Sequence, residues 1–81
     1  MTARVERAWD EYQRRIFAGM TVTATQRTET RRAFYAGVFA TLTECLALGG
    51  EAVSEDAGAD ALQGMLEECQ RFHALVRGGK A

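Results

Sequence analysis

Five arginines are the side chains best placed to bind something. Arg14 and Arg15 close one helical pattern, and Arg27, Arg31 and Arg32 open the next. The short connector Gly19–Val22 brings the two groups toward one end of the fold. A guanidinium cluster beside the positive N-terminal end of a helix suits phosphate or carboxylate groups. Glu29 and Glu11 dilute its charge. The candidate partner-binding set is therefore Arg14, Arg15, Arg27, Glu29, Arg31 and Arg32. Its ligand is a protein surface or, as the alternative, a nucleic-acid backbone.

Other chemistry has thinner support. Cys45, Cys69 and His73 are the only soft metal-ligand candidates. Cys69 and His73 share a helix face at i,i+4, but a structural zinc site takes four ligands. Ser54 and the two thiols have one histidine in the whole chain as a base, with no triad spacing. Glu55–Asp56 and Glu67–Glu68 are adjacent pairs, and neighbours on a helix point in different directions. The expectation is a non-catalytic protein with no cofactor and no metal.

Charge agrees with a binding role of no strong polarity. Residues 1–32 carry seven Arg against four acids, a balance of +3, and residues 33–81 carry three basic groups against seven acids, a balance of −4. The net charge of −1 is a mild dipole rather than a nucleic-acid footprint. There is no apolar run of about 18 residues that could cross a bilayer. The opening Met-Thr-Ala-Arg-Val-Glu-Arg carries both signs and lacks a signal-peptide core. A reducing cytoplasm and buried free thiols are expected.

The elements that must position the arginines are helices. Proline is absent, and Ala, Glu, Arg, Leu and Gln dominate. Val5, Trp9, Tyr12 and Ile16 step by four, three and four, one stripe of a helix over about 3–18. Gly19 ends it. Thr23 with Gln26 has capping-box spacing and opens a longer helix over about 24–48. That helix carries two stripes, Phe34, Val38, Leu42, Cys45 and Tyr35, Phe39, Leu42, Leu46. An apolar arc so wide predicts a central position, and Gly49-Gly50 is expected to close the helix in the left-handed conformation. Ser54 can cap a third helix over about 56–77, with Asp60 and Gln63 offering a second possible start, and Leu62, Met65, Cys69, Phe72 and Val76 are in step with Gly78-Gly79 behind them. The fold class read from this pattern is all-α, a small three-helix bundle forming one domain over 1–81.

Packing expectations follow. Trp9, Phe34, Leu42 and Phe72 should meet in the core, and Met20 and Val22 should cover one end. An antiparallel hairpin turning near residue 52 offsets Cys45 and Cys69 by roughly ten residues, or about 15 Å. A disulfide needs Cα atoms within about 7 Å, so the two thiols should not pair. Ala33, Gly37, Ala40 and Thr41 make a face of small side chains. Such a seam lets helix backbones approach, and it predicts a homodimer near a two-fold axis.

The run Gln26-Arg27-Thr28-Glu29-Thr30-Arg31-Arg32-Ala33-Phe34-Tyr35-Ala36-Gly37 resembles a group of short proteins of tailed phages and prophages. Their core reads Q-x-x-E-x-R-R-A-F-Y-A-G, followed by an apolar run and an acidic helix. The resemblance carries no catalytic residue. It implies an accessory gene product expressed in the cytoplasm of a bacterial host, where small helical proteins often bind and block a host protein, including defence machinery. An anti-CRISPR-like inhibitor is the reading that follows. A nucleic-acid-associated phage protein and a structural or assembly protein are the alternatives.

Overall fold

The computed structural model describes residues 3–81. It is all-α: α1 spans Arg4–Ile16, α2 spans Ala24–Leu48 and α3 spans Glu55–Arg77, with no strand among the described residues. α2 is the longest at 25 residues. The chain divides into two compact units, Met1–Leu42 and Thr43–Ala81, and the division falls within α2.

Local chemistry sets the helix ends. The Thr23 N–H donates to Gln26 Oε1 at 2.9 Å, and the Gln26 N–H donates to Thr23 Oγ1 at 3.0 Å. This reciprocal pair satisfies two donors that helix geometry leaves without partners. Ser54 Oγ accepts from the Ala57 N–H at 3.1 Å, with Glu55 and Asp56 in the first turn. Their charge favours the positive end of the dipole. At the far end of α3, the Lys80 N–H reaches the Leu75 carbonyl at 2.9 Å and the Gly79 N–H reaches Val76 at 3.1 Å. Gly79 sits at φ 73°, so the closure is a Schellman motif that needs glycine. Gly19, at φ 72°, turns the chain after α1.

Gly49-Gly50 closes α2 in another way. Neither glycine has positive φ. The Gly49 N–H is shared between Cys45 and Leu46 carbonyls, and the Gly50 N–H donates to Ala47 at 3.2 Å. The last turn tightens toward 3₁₀ spacing instead of passing through the left-handed region.

In the first unit, the side chains of α1 and the N-terminal part of α2 build an aromatic cluster. Trp9 is 4% exposed and is the buried hydrophobic residue of the described chain. Its ring centroid lies 5.5 Å from Phe34 and 6.2 Å from Tyr12, and Tyr12 stacks on Phe34 at 5.2 Å. Val5, Ile16 and Val38 are half-buried. In the second unit, Gly58 is buried. A Cβ there would come within 3.2 Å of the Leu48 carbonyl oxygen, so glycine lets the start of α3 close on the end of α2.

Several packing expectations need correction. Leu42 is 53% exposed and Phe72 is 59% exposed, so neither is a buried core residue. No residue of α2 is fully buried, and Leu46 is 80% exposed. Met20 is exposed; only Val22 of that pair is partly covered. Cys45 and Cys69 are both free thiols, but Cys45 is only half-buried and Cys69 is exposed. Hydrophobic periodicity identifies the apolar face of a helix. It does not say how much of that face a short chain can cover by itself.

Candidate functional site

The arginines fall into two groups. Arg27 is held at the joint between α1 and α2. Its guanidinium lies 5.2 Å from the centre of the Phe17 ring, and its Nη1 donates to Gln13 Oε1. The amide nitrogen of the same Gln13 donates to Asp10 Oδ1 at 3.1 Å. Gln13 thus links its near neighbour Asp10 to Arg27, which lies 14 positions beyond Gln13 in sequence. Arg14 lines a shallow recess with Gln13, Phe17 and Arg27. Arg15 is exposed and lines no part of it.

The second group lies along one side of α2. The Arg31 guanidinium stands 5.3 Å over the Tyr35 ring, an i,i+4 spacing that places the two on one face. Arg32 Nη1 pairs with Glu29 Oε1 at 3.5 Å, and both side chains are largely in solvent. Such a pair contributes little, about 0–1 kcal/mol, but it neutralises one arginine and fixes its direction. Thr28, Arg31, Arg32 and Tyr35 line one shallow recess. Glu29 also borders a neighbouring recess with Phe17, Met20 and Val22.

The structure therefore brings Arg14 to Arg27, and Arg31 and Arg32 to one another, and it leaves Arg15 aside. It adds three residues that the charge pattern did not identify. Tyr35 was legible in principle, since an aromatic four positions after an arginine on a helix is a stacking pair. Phe17 directly follows the Val5–Ile16 stripe in sequence and serves as the platform for Arg27. Gln13 carried no signal for its bond to Arg27, because Arg27 lies in another helix.

The remaining candidates have structural surroundings. Ser54 Oγ caps α3. Cys69 and His73 are both exposed. Among the described residues, no three His, Cys, Asp or Glu side chains come together as a metal set. No helix among them is long and apolar enough to cross a membrane. The seam residues Ala33, Gly37, Ala40 and Thr41 are exposed. A Cβ on Gly37 would meet nothing within 4 Å, and Thr41 Oγ1 donates back to the Gly37 carbonyl at 2.9 Å.

No family model matches this chain, and neither curated proteins nor solved structures give a significant match.

Proposed function

We propose that the chain is a non-catalytic protein-interaction module whose partner face is built on Arg31, Arg32 and Tyr35. The supporting observation is the stack of the exposed Arg31 guanidinium over the half-buried Tyr35 ring. Arginine and tyrosine are the side chains that most often anchor protein interfaces, since each offers a large rigid face and directed hydrogen bonds. Glu29, paired to Arg32 in the same patch, favours a protein over a nucleic acid. A carboxylate beside the cluster repels phosphates, while it supplies an acceptor for basic groups on a protein. With the resemblance carried by residues 26–37, the role is a phage-encoded inhibitor of a host bacterial protein, of the anti-CRISPR kind.

The test is capture from bacterial lysate on immobilised chain, with and without nuclease. A specific protein retained after nuclease treatment supports the reading. Loss of all bound material on nuclease treatment favours the nucleic-acid alternative, in which Arg14, Arg27, Arg31 and Arg32 hold phosphates.

A further inference from the structure

The second unit has an apolar helix face that it does not cover. Leu62, Leu66, Phe72, Leu75 and Val76 of α3 are each close to half exposed or more, and Cys69 between them is exposed. None of the apolar side chains of Thr43–Ala81 is fully buried. A contiguous exposed apolar face of several hundred Å² marks an interaction surface.

We propose that α3 pairs side by side and in parallel with α3 of a second copy of this chain, with Cys69 against Cys69 of the second copy. Three observations select that occupant.

The first is the register. Leu62, Met65, Cys69, Phe72 and Val76 step by three, four, three and four. They fill successive a and d positions, the spacing at which one helix packs along another of the same kind. Leu66 and Leu75 fall at e and g positions and widen the seam.

The second is area. Side chains of these sizes and exposures present on the order of 500 Å² on each copy, so a pair buries ~1,000 Å², the level that a specific interface must reach. The small-residue seam on α2 offers far less apolar surface. It also lies on the opposite side of α2 from Leu42 and Leu46, at about 100° per residue.

The third is the set of residues that flank the stripe. In a parallel pair, a g position faces the e position five residues on in the other helix. That sets Glu68 opposite His73 of the second copy, twice by symmetry. The other e and g positions within the stripe are Leu66 and Leu75, so no like charges meet there. Glu67 and Arg71 fall at f and c positions, away from the seam. An antiparallel pair sets g against g and offers Glu68 a second Glu68 or a leucine.

The arrangement has a direct chemical reporter. In a parallel pair, a faces a, and the two Cys69 Cα atoms come within disulfide range, about 6 Å. In an antiparallel pair, a faces d, so Cys69 sits opposite Met65 or Phe72 and is displaced along the helix from its counterpart. In a Cys45→Ser background, diamide should oxidise the two Cys69 thiols to one disulfide. The thiols release two electrons and two protons, and diamide takes them up to become the hydrazine. The expected result is a covalent dimer on a non-reducing gel, absent in the Cys45→Ser/Cys69→Ser chain, together with a solution mass twice 8.9 kDa by light scattering. Charge variants at exposed positions test the pairing without threatening the fold. His73→Glu should weaken the dimer about tenfold, His73→Lys should preserve it, and Glu68→Lys/His73→Glu should restore it. A monomeric parent overturns the proposal. A dimer that gives no Cys69 crosslink, or that responds alike to His73→Glu and His73→Lys, overturns it as well.

Discussion

The ring centroids of Trp9 and Phe34 lie 5.5 Å apart, with their planes inclined at 55°. One ring comes from α1 and the other from α2, so this contact joins the two helices of the first unit. Tilted aromatic pairs at this separation contribute about 0.5–1.5 kcal/mol beyond the apolar area they bury. Trp9→Ala is therefore expected to cost about 3–5 kcal/mol, a large share of a small domain's stability. Chemical denaturation followed by circular dichroism measures it. A Trp9→Ala chain that melts within a few degrees of the parent contradicts the cluster.

The cap of α2 gives a smaller and sharper prediction. Thr23→Ala removes the acceptor for the Gln26 N–H and should cost about 1 kcal/mol. Gln26→Ala removes the return bond and should cost less. Urea unfolding resolves both, since neither change alters the area exposed on unfolding and the slope should stay constant.

Two glycines should respond in opposite directions. Gly19 has positive φ, so Gly19→Ala strains the backbone and should destabilise by about 1 kcal/mol. Gly37 lies inside α2 with open space around it. Gly37→Ala should stabilise by about 0.5–1 kcal/mol through helix propensity alone. The bulkier Gly37→Leu distinguishes the two dimer surfaces. A pair built on α3 keeps its mass in this variant, whereas a pair built on the Ala33–Thr41 seam dissociates.

The Glu29–Arg32 pair is exposed on both sides. Glu29→Gln should change stability by a few tenths of a kcal/mol at most. Its effect should instead appear in binding. Removing the carboxylate raises the positive charge of the patch, so retention on heparin should increase and elute at higher salt.

The helices were legible because their signals are local. Thr23 with Gln26, Ser54 before two acids, and Gly79 beyond the last periodic residue all act within one turn of the chain. The Val5–Ile16 stripe likewise identified Trp9, since its spacing fixes which side of α1 faces a neighbour. Exposure of Phe72, Leu42 and Cys69 was not legible, because it depends on how much apolar surface the rest of the chain can cover. The Gly49-Gly50 ending differed for a related reason. Glycine permits the left-handed conformation but does not impose it, and here a tighter last turn satisfies the carbonyls. At the candidate site, the arginines were found by charge. Gln13 and Phe17, which hold Arg27 in place, became visible only when α1 and α2 were set side by side.

The central claim is that Arg31, Arg32 and Tyr35 form the face that binds a partner protein. The most direct measurement is nuclease-treated capture by Arg31→Glu/Arg32→Glu and by Tyr35→Ala beside the parent chain, with each melting profile recorded. All three side chains lie on the rim of an exposed recess, so the variants should remain folded. The predicted result is that the protein retained by the parent is lost from both variants while their helical signal is unchanged. Undiminished capture by both folded variants would contradict the claim.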